Sequence, residues 1–434
     1  MVAKILERTA GGILLFIAVG MTVHTPLTLW LGLQFPDYEL FIKAWKEVLM
    51  GIALALIVVI AVRLRMAATL LGDRVVQLCL VFAGLHFLMI AAFQNGLDMA
   101  GAGLLIDLRY VLYFVLAYMY MTLFPLWRRL FVAALLGGAV VILGFALAQL
   151  FLLPRDVLAH IGYSKATIAP YLTVDENPAY VRINSFLRGP NPLGAYATII
   201  IGVLTALLMR WKLTARGVAL AAVGLLAAGL ALNASYSRSS MIGAIAAIAF
   251  IVIVSVTPTV RRYVLIGGAS ALVVAVALTA AFRHAPFVAN VIFHDNPTTG
   301  AHIDSNTGHA ESLQDGFDRM IRQPFGAGIG STGSASLIGE QPVIIENQYL
   351  FIAHEVGWMG LGIWLWLFGE IVRRLWHRRQ SALALGVLGS GVGLAIIGVL
   401  LPVWADDTVS IVWWGLAGVA ISHWKIEDSK GKRK

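Results

Sequence analysis

Residues 131–153 read FVAALLGGAVVILGFALAQLFLL, and Arg128 and Arg129 stand directly before them. An apolar run of this length can cross a bilayer as a helix, and arginines flank such helices mainly on the cytoplasmic side. The chain is 59% hydrophobic and only 13% charged, which excludes a soluble domain of its size. The pattern predicts an all-α integral membrane protein with about 12 transmembrane helices. The predicted spans are 12–34, 47–63, 75–93, 104–124, 131–153, 193–210, 217–233, 240–256, 263–282, 347–368, 382–402 and 409–424.

The positions of the basic residues predict how the chain is oriented in the membrane. Most of the 32 lysines and arginines fall in every second segment between the spans. This bias predicts a multi-pass protein with both termini in the cytoplasm. The net charge of +9 therefore reflects orientation, and we expect membrane lipids but no nucleic acid as partners. The predicted organisation is a single polytopic membrane domain over 1–434.

Two long segments are predicted to lie outside the membrane on the other side, a loop over 154–192 and a helical loop region over 283–346. Because the inside loops are short, function is expected on this outer face. The first loop carries Lys165 and Arg182 among several tyrosines and ends in SFLRGPNP, residues 185–192. Asn191 is predicted to cap the next helix and Pro192 to be its first residue, which puts Arg188 just before a helix start.

A second arginine is predicted at a helix start. Ser237, a candidate cap, and Arg238 open the span near 240–256. An arginine is unfavourable there for helix stability alone, because a helix N-terminus already carries partial positive charge. Two guanidiniums at helix starts predict a site for an anionic group, and in a membrane a lipid diphosphate is a natural candidate.

The second outer segment is predicted to contain an amphipathic helix from Thr307 onward. Leu313, Phe317, Met320 and Ile321 recur on one face of this helix at helical spacing. A polar face carries His309, Ser312, Gly316 and Arg319. The glycine-rich run GAGIG, residues 326–330, follows no buried strand, so we expect a hinge or close-packed turn rather than a nucleotide site.

The tenth span opens with Glu346, Asn347, Gln348 and Tyr349. Glu346 suits a positive helix end, and Asn347 can cap the helix or hydrogen-bond a sugar. His354 lies two turns deeper, where a polar contact between helices is the main alternative to a functional role.

Two acidic pairs complete the set of candidates. Asp406 and Asp407 at a span end are expected to form a solvated turn. Asp37 and Glu39 in the first outer loop are similar to metal-binding acids of membrane glycosyltransferases, but their spacing alone predicts no metal site.

Four stretches together resemble the bacterial O-antigen ligase and O-antigen polymerase superfamily. They are Arg188-Gly-Pro-Asn191-Pro, Ser235-Tyr-Ser237-Arg238-Ser239-Ser240, the segment from Thr307-Gly-His309 to Gly330, and Glu346-Asn347-Gln-Tyr-Leu with Glu355-Val-Gly357 behind it. The resemblance covers roughly residues 100–425. The chain departs from many relatives in having Glu346 where they have a histidine, and His309 where they have an arginine.

The resemblance implies a metal-independent glycosyltransferase of the GT-C-like class. Direct displacement of the diphosphate predicts inversion at the anomeric carbon, and we expect no cofactor. The enzyme's donor would be a glycan on undecaprenyl diphosphate, and its acceptor a sugar hydroxyl of lipid A-core at the periplasmic face of a bacterial inner membrane. This is the activity of an O-antigen ligase. A polymerase would use the same donor but another lipid-linked glycan as acceptor. A transporter of lipid-linked glycans is a third hypothesis, which the mostly apolar span centres disfavour.

The predicted catalytic residues are Glu346, His309, Arg238 and Arg188. The two arginines would neutralise the departing diphosphate. Glu346 is the first candidate for the base, His309 the second, and His354 competes with both. Alternatively, Arg188 only anchors a loop to lipid headgroups, Glu346 only complements a helix end, and His309 is only solvated. The predicted substrate-binding residues are Arg182, Lys165, Asn191, Ser237, Asn347, Tyr349 and His354.

Overall fold

The computed structural model describes residues 2–293 and 305–422, and these residues are mainly helical. In chain order the helices are α1 (Val2–Gly20), α2 (His24–Gln34), α3 (Glu39–Lys43), α4 (Trp45–Arg63), α5 (Ala67–Leu71), α6 (Arg74–Ala92), α7 (Leu97–Leu123), α8 (Arg128–Phe151), α9 (Pro190–Arg210), α10 (Ala215–Ser235), α11 (Arg238–Ser255), α12 (Pro258–Ala281), α13 (Ser305–Arg322), α14 (Gly333–Ser336), α15 (Gln348–His377), α16 (Ala382–Ile397) and α17 (Asp407–Ile421). The strands β1 (Leu172–Val174) and β2 (Asn177–Arg182) form an antiparallel hairpin between α8 and α9.

The helices follow the predicted spans closely. Within the described ranges, 9 helices are long and apolar enough to cross a membrane, and α16 and α17 are shorter apolar helices. The all-α membrane character is therefore confirmed, while the count of about 12 spans stays a prediction. The predicted helix in the second outer segment is present as α13. Residues 294–304 of that segment lie outside the described ranges.

The first predicted span is not one continuous helix. α1 and α2 meet at an angle of 87° across residues 21–23. Gly20 ends α1 where a Cβ atom would lie 2.6 Å from the ring of Trp45. His24 begins α2, and its imidazole bonds to Asp407 at 3.1 Å. A polar anchor at the break therefore interrupts a run that hydropathy alone predicts to be unbroken.

Contacts divide the chain into two compact units. The first comprises 1–142, 312–380 and 398–434, and the second comprises 143–311 and 381–397. In the second unit α9 packs against α10, α11 and α16. A Cβ on Gly393 would lie 2.5 Å from the carbonyl oxygen of Gly243, so α16 and α11 pack backbone to backbone. Small residues permit this close approach of membrane helices.

In the first unit α7 packs against α4 and α17, and α15 packs against α6. A buried ion cluster joins three of these helices. Asp407 lies 2.9 Å from Lys46 on α4 and 2.6 Å from Arg109 on α7. Asp406 caps α17 by accepting the N–H of Val409. The predicted solvated turn is therefore wrong, because Asp407 points into the unit to meet cations from distant parts of the chain.

Candidate functional site

The starts of α9 and α11 lie side by side in the second unit. A Cβ atom on Gly194 would lie 2.7 Å from the Cβ of Ser240 in the first turn of α11. Thr198 donates its hydroxyl to the carbonyl of Ser240 at 3.3 Å. Because both N-terminal ends are at the same place, their partial positive charges act together on any group bound there.

Arg182 links the start of α9 to the end of α10. It is the last residue of β2, and its Nε donates to the carbonyl of Ser235 at 2.8 Å. Its Nη2 donates to Oδ1 of Asn191 at 2.7 Å. The hairpin that delivers it turns through Asp175 and Glu176, both at positive φ. The guanidinium is thus held between the end of α10 and the first turn of α9.

The charge of Arg238 acts on Arg182. Burial and the positive charge of Arg238 lower the pKa of the Arg182 guanidinium to about 10, and the carboxylate of Asp175 offsets this only in part. Arg182 therefore stays protonated at neutral pH. Two guanidiniums close enough to repel each other form a centre of positive potential that an anion would relieve.

Arg238 is the first residue of α11, where the sequence placed it. Its Nη1 donates to the carbonyl of Ile292 and its Nη2 to Oδ1 of Asn306, both at 2.8 Å. Asn306 in turn donates to the carbonyl of Phe293 at 2.6 Å. These bonds orient the guanidinium and connect α11 with the first turn of α13.

His309 lies one turn after Asn306 on α13 and is half-buried. Residues three apart on a helix share a face. Because Asn306 contacts Arg238, this shared face links the second candidate base to the arginine region. Arg238 and His309 therefore belong to one unit, in which Asn306 is the residue of α13 that contacts Arg238.

Arg188 is exposed and forms no hydrogen bond or ion pair with any residue in the described ranges. Its loop is nevertheless well anchored. Ser185, at positive φ, donates its N–H to Oε1 of Gln149 at 2.7 Å. Leu187 donates its N–H to the carbonyl of Asn184 at 3.2 Å. The backbone of Arg188 is therefore fixed while its guanidinium is open to solvent or a ligand.

The predicted cap of α9 is wrong. The helix begins at Pro190 with Gly189 in the capping position, and the oxygen of Asn191 accepts from Arg182 instead. Pro190 and Pro192 have no N–H, and Leu193 donates its own N–H to the carbonyl of Gly189. Of the usual orphan donors of a first turn, α9 offers only the N–H of Asn191. Anion binding here must come mainly from guanidiniums.

Ser237 occupies the capping position of α11 but makes no capping bond. Its hydroxyl donates to the hydroxyl of Ser240 at 2.9 Å, and it is buried. Lys165 is exposed in a loop and has no hydrogen bond or ion pair with the part of the chain that the structure describes. Substrate-binding roles for both residues stay predictions.

The start of α15 belongs to the first unit. Asn347 is its cap, accepting the N–H groups of Tyr349 and Leu350 at 2.9 Å and donating to the carbonyl of Val399. The capping alternative therefore accounts for its side chain. Glu346 precedes it, half-buried, with its N–H donated to Ser312. The ring of Tyr349 packs edge-on against Trp364.

α15 breaks at Gly357, which has a φ of 68°. The break frees the carbonyls of His354 and Glu355, which accept the N–H groups of Ala327 and Gly328 at 2.6 and 3.2 Å. Oε1 of Glu355 accepts the N–H of Gly330 at 3.1 Å. The glycine run is thus a close-packed turn, as expected. His354 is only 2% exposed, and both the polar contact and the functional role predicted for it stay predictions.

The sequence interpretation missed a buried polar pair in the first unit. His86 on α6 lies 3.5 Å from Asp107 on α7, and both are buried. The available signal was His86 in the middle of one apolar run and Asp107 near the start of the next one. The centres of the predicted spans are therefore less apolar than we inferred from the sequence when we disfavoured a transporter.

Whether a metal ion could bind depends on where the acidic side chains of the described residues lie. In residues 2–293 and 305–422 no cluster of three or more His, Cys, Asp or Glu side chains could hold a metal ion. Glu39, one of the two acids weighed for that role, pairs with Lys43. The absence of a cofactor stays a prediction.

Residues 223–365 match the family described as O-Antigen ligase. The matched segment includes Arg238, His309 and Glu346, whereas Arg182 and Arg188 lie before it. The match confirms the resemblance to the O-antigen ligase and polymerase superfamily that the motifs indicated. No curated protein matches the chain.

Proposed function

We propose, from this family match and from the arginines at two helix starts, that the protein is an O-antigen ligase. It would transfer a glycan from undecaprenyl diphosphate to a sugar hydroxyl of lipid A-core at the periplasmic face of the inner membrane. The observation that carries the proposal is that the starts of α9 and α11 pack side by side, with Arg182 bonded to Asn191 in the first turn of α9 and Arg238 as the first residue of α11. Arg188 stands just before α9, exposed.

The arginines would bind the diphosphate of the donor. At about 4 Å and an effective dielectric of about 20, each guanidinium–phosphate contact contributes roughly 4 kcal/mol before desolvation. The bound anion would also remove the repulsion between Arg182 and Arg238. As the bond between the anomeric carbon and the diphosphate oxygen breaks, the leaving group gains charge, and fixed guanidiniums stabilise that charge. No metal ion is needed for this role.

A base would take the proton of the acceptor hydroxyl while its oxygen forms the new bond to the anomeric carbon. Direct displacement inverts the configuration there. The face that His309 shares with Asn306 supports His309 as the base. Glu346, the first candidate from the sequence, donates its N–H to Ser312, which follows His309 by three residues on α13, so it stays a candidate. His354 is buried.

A polymerase is the alternative within the same superfamily. It would use the same arginines and the same donor, and only the acceptor would differ. The family match supports both activities equally.

The decisive experiment supplies purified full-length protein in nanodiscs with a defined oligosaccharide on undecaprenyl diphosphate. Lipid A-core and a second lipid-linked oligosaccharide are offered together as acceptors. Transfer to lipid A-core supports a ligase, and lengthening of the lipid-linked glycan supports a polymerase. If neither product forms and the same protein moves the donor across a vesicle membrane, the result contradicts both enzyme hypotheses and supports a transporter.

A further inference from the structure

Helix α13 exposes an apolar stripe although it belongs to a loop region. Leu313, Phe317 and Ile321 follow one another at intervals of four and are 42%, 51% and 52% exposed. Phe325, just beyond the end of the helix, is also exposed. A contiguous exposed row of this kind on a helix marks an interaction surface.

The orientation of the stripe is fixed by the face of α13 that packs on the chain. Ser312 accepts the N–H of Glu346 at 3.0 Å and donates to the carbonyl of Ile344 at 3.3 Å. A Cβ on Gly316 would lie 3.1 Å from Leu350, so α13 sits directly on the start of α15. The small and polar residues thus face α15, and the stripe points away from it.

A third face of α13 is charged. Asp315 and Arg319 form an ion pair at 2.7 Å, and Arg322 is exposed close by. With 3.6 residues per turn, Asp315 and Arg322 fall on the side of the helix opposite Phe317. An apolar face opposite a charged face, on a helix of low overall hydrophobicity, is typical of a helix that lies in the membrane interface.

The stripe adjoins the exposed apolar surface of α15, a helix that is long and apolar enough to cross a membrane. Trp358 donates its indole N–H to the carbonyl of Met320 at 2.7 Å, which fixes the end of α13 to α15. Trp358 is 53% exposed and stands just after the break at Gly357, where the long apolar part of α15 begins. Exposed tryptophans of membrane helices are enriched at the boundary between lipid and water.

We propose that α13 is an interfacial helix whose side chains Leu313, Phe317 and Ile321 are inserted in the outer leaflet of the lipid bilayer. Continuity with Trp358 identifies the occupant as lipid, and the charged face remains in water. His309 lies on the same helix, so insertion also fixes the depth of that imidazole. The importance of that depth for catalysis rests on the function proposed above, whereas the insertion does not.

The test measures how deeply positions on α13 lie in the bilayer, and it uses the full-length protein reconstituted in phosphatidylcholine vesicles. Single cysteines are introduced as Phe317→Cys, Ile321→Cys and, as the matched control on the charged face, Asp315→Cys. The native Cys79 is buried and stays in place, and the unsubstituted protein reports any labelling of it. Each variant carries an environment-sensitive fluorophore, and its quenching is measured with nitroxide-labelled lipid and with aqueous iodide.

We expect lipid-borne nitroxide to quench the labels at 317 and 321 at least about threefold more than the label at 315, and iodide to show the reverse order. Equal access of iodide to all three labels would place the stripe in water and overturn the proposal. Labels at 317 and 321 that neither quencher reaches would show a covering protein surface, such as a second copy of the chain, and would overturn it too. No arm of this experiment depends on glycan transfer.

Discussion

The cations of the first unit and the arginines of the second unit are held in opposite ways. In the first unit Arg109 forms a buried ion pair with Asp407, a carboxylate from the same unit. In the second unit Arg182 donates to the neutral oxygens of Ser235 and Asn191, and Arg188 is exposed. One arrangement neutralises positive charge inside the protein, and the other keeps it available at two helix starts.

This difference separates stability from binding. A buried ion pair is costly to break, because removing one partner leaves the other charged and desolvated. A guanidinium held by neutral oxygens has no internal counter-charge and keeps its full charge for a ligand. Substitutions in the two regions should therefore change different measurements.

The largest effect is expected for Asp407→Asn. The amide keeps the size of the side chain but leaves Lys46 and Arg109 buried near a neutral group. We expect the free energy of unfolding to fall by about 3–5 kcal/mol, the usual result of breaking a buried ion pair. The loss of stability is measured as a lower unfolding temperature in detergent, where the monodisperse peak in size-exclusion chromatography is recorded after heating to increasing temperatures.

The matched control is Asp315→Asn, which breaks the exposed ion pair with Arg319. An exposed pair contributes roughly 0.2–1 kcal/mol, so the control should unfold at nearly the normal temperature. Equal destabilisation by the two substitutions would mean that the buried cluster is not what distinguishes the first unit.

The second largest effect is expected for Arg238→Ala. Loss of one fixed positive group at a developing anion typically lowers turnover by about 100- to 1000-fold. Transfer from a lipid-linked donor should fall by that factor, while expression and unfolding temperature stay close to normal. Arg155→Ala serves as the control, since Arg155 is an exposed arginine of the same unit that bonds weakly to the carbonyl of Pro178.

Normal transfer by the Arg238→Ala protein would remove the diphosphate role of this residue. Equal loss in the control would point to general charge attraction. A lowered unfolding temperature would instead place Arg238 with the structural cations of the first unit.

Most of the fold could be predicted from the sequence because hydropathy is a local property. The predicted span 240–256, for example, corresponds to α11 at Arg238–Ser255. The bend between α1 and α2 could not be predicted, because it depends on His24 meeting Asp407 far along the chain. The capping bond of α9 was wrongly assigned for the same reason, since Asn191 is used by Arg182.

In the candidate site, too, the features that depend on local sequence could be predicted, and those that depend on distant contacts could not. Arg238 was placed at a helix start from its neighbouring serines, which are local signals. Its link to Asn306, and hence to the helix of His309, depends on a contact between distant segments. The sequence could name the candidate bases, but only the packing shows that Arg238 contacts the helix of His309.

That connection makes a further prediction about the base. His309→Ala should lower transfer by about 100-fold or more, the usual contribution of a positioned base, while Glu346→Gln should lower it by less than about tenfold. Both variants should bind the donor normally, because neither removes an arginine. A larger loss of transfer in Glu346→Gln than in His309→Ala would identify Glu346 as the base and leave His309 a supporting role in α13.

The smallest effect is expected from removal of divalent ions. If guanidiniums neutralise the leaving diphosphate, EDTA should change the rate of transfer by less than about twofold, because no bound metal supplies that charge. The measurement compares initial rates with and without chelator, and then with Mg²⁺ or Mn²⁺ restored. A rate that collapses with EDTA and recovers with one of these ions would make Asp37 and Glu39 candidate ligands again. It would also break the contrast between the two units, because the positive charge at the reaction centre would then come from an ion rather than from the arginines at the starts of α9 and α11.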